Sequence, residues 1–437
     1  MLRRLLLTTY FSLFALHFSL PSIAQGLKAP AGKEIYIPRD LKDNDFTQAD
    51  SQWSFARMAY TDDVIVFWEK PFGQDLSQAP SLEGHNMKVD IYNLLGRLQT
   101  FYDFYKNDLK FIKPSSKADK YRMMVMLNYS LEGTAYGGDY DGEIGALWIA
   151  PNRVQDKKLN CIAHELGHSF QSQIGCDGEG ESWGGGGIFE MTSQWMLWQV
   201  NPQWTTDENY HWKGFIEHHN LRFLSGENIY HSPFVLEYWS MKHGLTVMGD
   251  LFRAGRRGED PASTYMRLFN LSVDQMNDEM ADCYSRLITF DFPRVRESHC
   301  QFAGELVTPM AEPQKEGKAA ILQPVAEMVP ETWGFNVVNL SQTLGQKKAT
   351  LQFEGLSTDA NATYKLRLVT VRDGEPHYGP ILSGTKQTLT VSPSKDAQTY
   401  LVVVGCPKKE YQVPSFSRRR QAEQQAEAKF PYRITFK

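Results

Sequence analysis

Residues 159–174 read LNCIAHELGHSFQSQI. Leu159, Ile162, Ala163, Leu166, Phe170 and Ile174 recur at three and four, the spacing of one buried helix face, so an amphipathic α-helix is expected here. On that helix His164 and His168 stand four apart, which puts both imidazoles on one face about a turn from each other. Two nitrogens so placed can share one Zn2+, each at about 2.0–2.1 Å. Glu165 is displaced around the helix and can reach a water beside the metal without ligating the metal. This is the H-E-x-x-H pattern, whose chemistry is metal-assisted hydrolysis. The competing reading, two surface histidines around a solvated Glu, fits poorly with so apolar a helix.

A catalytic zinc takes three protein ligands and keeps one position open. The places three and six after His168 hold Gln171 and Ile174, so the extended pattern with Gly and His is absent and the third ligand must come from elsewhere. The next helix candidate, Ile188 to Val200 (IFEMTSQWMLWQV), has one carboxylate, Glu190, among apolar and neutral neighbours. A lone buried Glu is costly unless it is paired or metal-bound, which makes Glu190 the leading ligand candidate. Its alternative is a solvated place near the helix N-terminus, where the dipole favours an anion. Asp177, Glu179 and Glu181 in the intervening loop are rivals, as ligands or as acceptors that orient the histidines.

With these residues in view, the chain resembles the gluzincin branch of the zincin metallopeptidases, and it is similar to a family of secreted bacterial proteins without an assigned substrate. The similarity is carried by HELGHSFQSQ, the run Gly184 to Gly187 and GIFEMTSQW, and spans about residues 120–290. It implies that His164, His168 and Glu190 hold Zn2+. It further implies that Glu165 polarises the attacking, metal-activated water and passes its proton to the leaving amine. It also implies that the strand around Ala146 to Ala150 is the edge strand that pairs with extended substrate. Gluzincins often carry Asp four residues after the ligand Glu; here that place holds Gln194.

Peptide hydrolysis also needs a donor for the developing oxyanion. Tyr210 and His211, His218 and His219, and Tyr230 and His231 are candidates. The last pair precedes Ser232-Pro233 at a turn before another helix, so His231 is favoured and Tyr230 second.

Upstream, Val64 to Trp68 and Tyr121 to Leu127 read as buried strands, and Asn86 to Ile112 carries helical spacing through Ile91, Leu94, Leu95, Leu98, Phe101, Tyr102 and Tyr105. Thr134 to Gly145 is a Gly-rich segment whose Asp139, Asp141 and Glu143 read as turn acids, since the further ligands of a calcium loop are missing. Downstream of residue 155 the pattern is helical to about 300. Residues 306–330, rich in Pro, Glu, Lys and Ala, are expected to be a linker. Beyond them the period becomes two, with strand candidates at Trp333 to Val338, Ala349 to Phe353, Tyr364 to Val371, Gln387 to Val391, Tyr400 to Val404 and Tyr432 to Phe436. The expected architecture is an α+β zincin-like catalytic domain over residues 25–305, followed by an all-β sandwich over 331–437.

Residues 1–24 read as a signal peptide: Arg3 and Arg4, an apolar stretch from Leu5 to Leu20, then Pro21-Ser22-Ile23-Ala24 as cleavage site. A retained anchor is the alternative; with cleavage no transmembrane segment is expected, and the protein is secreted, periplasmic or at the cell surface. The full chain of 437 residues carries a net charge of −5, and losing Arg3 and Arg4 (46 basic residues to 44, against 51 acidic) makes it −7. That excludes a phosphate-tracking surface, so no nucleic-acid partner is expected. Five cysteines without CxxC spacing read better as small buried groups than as a disulfide framework, with Cys283 and Cys300 the one candidate pair.

The leading functional expectation is a secreted zinc peptidase acting on a protein or glycoprotein substrate. The alternative is a weakly catalytic zincin scaffold at the cell surface that binds glycan or protein through its C-terminal sandwich. A glycan hydrolase would need two facing carboxylates, and no such pair stands out. No switch cysteine precedes the catalytic region, so activity is expected without trimming of residues 25–60.

Overall fold

A computed structural model describes residues 27–133, 135–180, 183, 188–316, 319–413 and 427–437. The signal segment, Glu181, the run Gly184 to Gly187 and most of the charged insertion Arg418 to Lys429 lie outside the described residues. The molecule is a mixed α/β protein with three five-stranded sheets.

The first sheet contains β1 (Met58–Tyr60), β2 (Val64–Trp68), β3 (Met123–Leu127), β4 (Tyr136–Tyr140) and β5 (Ile144–Ile149), in the order β1-β2-β3-β5-β4. β2, β3 and β5 run parallel in the middle. Every residue of β2 and β3 is buried, which is why both read as unbroken apolar runs rather than alternating ones. Between β2 and β3 lies α1 (Ile91–Asn107), started by Asp90, whose side chain accepts the Asn93 N–H at 3.0 Å. Its buried side is Leu94, Leu95, Leu98, Phe101, Tyr102 and Tyr105, as the spacing requires; Ile91 is only partly covered.

Two expectations for this sheet are corrected. The strand at Ala146 to Ala150 is not an edge, because β5 is paired on both sides, parallel to β3 and antiparallel to β4. The edge is β4, inside the Gly-rich segment expected to be a turn. Asp141 and Gly142, both in the left-handed region, are the central residues of the turn in the three-residue β4–β5 connection, which the Glu143 N–H closes on the Tyr140 carbonyl at 2.8 Å. Asp141 is a turn acid that also binds Tyr36 at 3.0 Å and the Arg39 backbone N–H at 2.8 Å, while Asp139 belongs to the strand.

A helical region follows: α2 (Asn160–Cys176), α3 (Ile188–Val200), α4 (Tyr210–His218), α5 (Phe234–His243), α6 (Val247–Ala254), α7 (Pro261–Leu268) and α8 (Val273–Leu287). α2 lies on the first sheet. Ser169 Oγ donates to the Ala146 carbonyl at 2.8 Å, Gln173 accepts the Gly145 N–H at 2.9 Å, and Tyr105 donates to the Ala163 carbonyl at 3.0 Å. No helix among the described residues is long and apolar enough to cross a membrane.

The last part of the chain forms two antiparallel sheets. One contains β8 (Phe335–Asn339), β10 (Ala362–Arg372), β11 (Glu375–Tyr378), β12 (Leu382–Ser383) and β14 (Gln398–Pro407); its path is β11-β10-β14-β8, with β12 on β10. The other contains β6 (Gln314–Glu316), β7 (Ala319–Leu322), β9 (Ala349–Gly355), β13 (Lys386–Val391) and β15 (Tyr432–Phe436), in the order β13-β9-β15-β7-β6. All six expected strands are present. The stretch expected to be linker differs: it contributes β6 and β7, and Thr308 accepts the Val337 N–H at 2.8 Å.

The sheet of β8, β10 and β14 is covered on both faces, and alternate residues show it. Val402, Val404 and Cys406 join the core of the helical region, whereas Leu401 and Val403 join a second apolar cluster with Leu351, Phe353 and Ile434 of the other sheet. α8 is fixed to it by polar contacts as well. Lys365 reaches Asp274 and Asp278 at 2.7 Å each, and Trp333 Nε1 donates to Asn277 at 2.8 Å. All five cysteines are free; Cys176, Cys283 and Cys406 are buried as expected, but Cys300 is exposed and unpaired with Cys283.

Candidate metal centre

Two helices build the centre. α2 carries His164 and His168 one turn apart, and α3, packed across it, brings Glu190 from its first turn. Glu190 Oε2 stands 3.1 Å from the Nε2 atoms of both histidines, and the two Nε2 atoms are 3.1 Å from each other. Three ligands at tetrahedral angles around one zinc would have their donor atoms about 3.3 Å apart, so the triangle already has nearly the right size.

The protonation of the rings follows from their other nitrogens. Gln194 Nε2 donates to the Tyr230 carbonyl at 2.9 Å, and a carbonyl can only accept. The Gln194 amide is thereby oriented with Oε1 toward His164 Nδ1 at 2.9 Å, which makes Nδ1 the protonated nitrogen. Gln171 repeats the device: Nε2 donates to the Phe189 carbonyl at 3.0 Å, and Oε1 accepts from His168 Nδ1 at 3.1 Å. Both Nε2 lone pairs therefore point at each other and at a carboxylate oxygen. Three electron-rich atoms facing one another call for a cation, and two imidazoles with a carboxylate are the donor set of a zinc site. The residues present fit the metal.

Both carboxylates of the centre are shifted from their ordinary range. Burial would raise the Glu190 carboxyl, but the two imidazoles beside it hold it far below the usual carboxylate range. Glu165 stands near the ligand triangle, and its Oε2 accepts the Gly137 N–H of the edge strand at 2.8 Å. Burial lifts its carboxyl above the ordinary range, against the lowering effect of both histidines.

The two described rival carboxylates are engaged elsewhere. Asp177 accepts from the Lys117 N–H at 2.9 Å and from Gln173 at 3.0 Å, and Glu179 lies 3.8 Å from Arg253. Among the described residues, His164, His168 and Glu190 are the one such ligand group.

Of the two favoured oxyanion donors, the structure brings only Tyr230 to the centre. Its ring lies 6.0 Å from that of His164, and its hydroxyl is near enough to Glu190 to feel that charge. Burial, then the Glu190 charge, push that hydroxyl up to about 12. His231 turns away, its Nδ1 2.8 Å from His211 Nδ1, and burial brings its imidazole down to about 4. His219 is buried between the Ile216 carbonyl and Thr308, and His218 bonds the Gly214 carbonyl.

Sequence reasoning missed three participants. Gln171 and Gln194 registered there only as departures from other patterns, although each lies one helical turn from a residue of the centre. The third, the backbone N–H of Gly137, has no side-chain signal at all.

Residues 27–437 match the model of a family of unknown function, DUF6055. No curated protein matches the sequence. Among solved structures, the chain is similar to a ZmpB metallopeptidase from Clostridium perfringens at 14% identity and TM-score 0.32, over 82% of this chain and 68% of that one. It is similar to the catalytic module of the metalloprotease ZmpA from Clostridium perfringens at 10% identity and TM-score 0.33, over 81% and 66%. A third likeness, at 11% identity and TM-score 0.31, is to the M60 catalytic domain of ZmpB with two CBM51 domains from the same organism, over 88% of this chain and 59% of that one.

Proposed function

This chain belongs to the DUF6055 family, whose function is unknown, and we propose that it is an exported zinc-dependent peptidase acting on proteins or glycoproteins. The observation that carries this reading is the convergence of His164 Nε2, His168 Nε2 and Glu190 Oε2 on one point, with Glu165 beside it. In this reading residues 25–305 are the zincin-like catalytic unit, residues 331–437 are a β-sandwich, and the signal segment is removed on export.

His164, His168 and Glu190 would hold the zinc. When bound, it would lower the pKa of a water and polarise the scissile carbonyl. Glu165 serves as general base and then acid: it takes the proton of the attacking water and delivers it to the leaving amine. The lift that burial gives its carboxyl suits that double role, because a base that must later act as an acid works best with a pKa drawn toward neutrality. The bond from Gly137 limits Glu165 to a narrow arc beside the edge strand. Tyr230 stays protonated at neutral pH and offers its hydroxyl to the oxyanion.

The test is zinc content and peptide hydrolysis of purified protein: wild type, Glu190→Ala and Glu165→Gln. The expected result is one zinc in wild type, loss of zinc in Glu190→Ala, and retained zinc without hydrolysis of a quenched-fluorescent peptide pool in Glu165→Gln. Wild type without zinc, or Glu165→Gln with full activity, would overturn the reading.

A further inference from the structure

We infer that Gln194 is a positioning residue that joins the ligand His164 to the backbone of Tyr230, and that this place requires a side chain able to accept at one end and donate at the other. The inference rests on the zinc-site reading above and adds a residue to it. Gln194 is 3% exposed and has no solvent to make up for a lost partner. Its Oε1 takes the His164 Nδ1–H at 2.9 Å, and its Nε2 gives one hydrogen to the Tyr230 carbonyl at 2.9 Å. The second amide hydrogen faces His211 Nε2 at 3.4 Å.

A carboxylate would serve only half of this. It would accept from His164 more strongly than an amide does, but its other oxygen would meet the Tyr230 carbonyl, acceptor against acceptor, in a site closed to water. Residue 230 would be pushed away, and its side chain, whose ring lies 6.0 Å from that of His164, would go with it. An apolar side chain of the same length would fail at both ends and leave His164 Nδ1–H and the Tyr230 carbonyl without partners. Gln171 repeats the device on His168, but its donor end holds Ser193 Oγ and the carbonyl of Phe189, the residue before the ligand Glu190, so the same change there acts on a ligand rather than on Tyr230.

The experiment uses the full mature chain as wild type, Gln194→Glu, Gln194→Leu, Gln171→Glu, Tyr230→Phe and the double variant Gln194→Glu/Tyr230→Phe. Two affinities are read: that for Zn2+, by competition with a chromophoric chelator, and that of the zinc-loaded protein for acetohydroxamate. Gln194→Leu is expected to bind zinc at least tenfold more weakly. Gln194→Glu should keep wild-type zinc affinity yet lose about tenfold in acetohydroxamate affinity, as Tyr230→Phe does, and the double variant should lose no more than either single one. Gln171→Glu, which sets an acceptor against the Phe189 carbonyl next to Glu190, should instead weaken zinc binding itself. The inference fails if Gln194→Leu holds zinc like wild type, or if Gln194→Glu binds acetohydroxamate like wild type. Wild type that binds no zinc would instead sink the underlying reading.

Discussion

Gly137 donates its backbone N–H to Glu165 Oε2 at 2.8 Å, and a Cβ at Gly137 would sit 1.8 Å from the Glu165 carbonyl oxygen. Edge strand and helix therefore touch backbone to backbone at the residue expected to move protons. The contact exists only because position 137 has no side chain.

Gly137→Ala should consequently disturb the site as well as the fold. The clash is with backbone, which cannot rotate away, so β4 must lift from α2 at a cost of about 1–3 kcal/mol or more. Thermal unfolding should show the loss, and hydrolysis should fall with it. A variant with wild-type Tm and activity would show that the approach is not as tight as described.

Metal removal should destabilise the protein. Zinc bound only by the folded chain adds about 4 kcal/mol at a thousandfold excess over its Kd. EDTA is expected to lower the Tm of wild type and to leave the Tm of Glu190→Ala unchanged. Equal EDTA shifts in both would remove Glu190 from the ligand set.

Acid should weaken the fold through two buried histidines remote from the metal centre. Burial brings His219 and His299 down to about 4, so the folded chain refuses protons that the unfolded chain accepts below about 6.5. Stability is therefore fully present above pH 6.5, falls as the pH drops from 6.5 toward 4, and levels off below that for these groups, with a loss of up to about 3 kcal/mol for each. Denaturant unfolding between pH 7 and 4 measures it. His219→Gln should flatten the slope; an unchanged slope would assign the effect elsewhere.

Helical region and C-terminal sheets should melt together. Phe335 of β8 is buried in the main core and stacks on Tyr284 of α8 with ring centroids 3.9 Å apart. Phe335→Ala is expected to cost about 3–5 kcal/mol and to shift one calorimetric transition as a whole. Two separate transitions, only one of them moved, would show independent units.

Legibility in the sequence followed the range of the interaction involved. α1, α2 and α3 and six C-terminal strands were readable because period and burial are properties of neighbouring residues. β4 was not, because Gly137 and Gly138 lower strand propensity, and the reason for Gly137 is a contact with residue 165. β5 was legible as a strand but not as an interior one, since sheet order depends on partners far along the chain. β6 and β7 sit in a stretch whose composition resembles a connector, and only pairing with β15 gives that stretch its form.

At the centre the division is equally clear. The four-residue spacing of His164 and His168 and the solitary charge of Glu190 could be read directly, since helix geometry sets the first and the cost of burying a lone carboxylate flags the second. The placement of Tyr230, rather than His231, beside His164 could not, because adjacent residues in a turn point in different directions and only the surrounding elements decide which one faces the site. The roles of Gln171 and Gln194 were hidden for a related reason. An amide has no preferred partner until the fold presents a carbonyl to one end and an imidazole to the other, and both arise only when α2, α3 and the turn at Tyr230 come together.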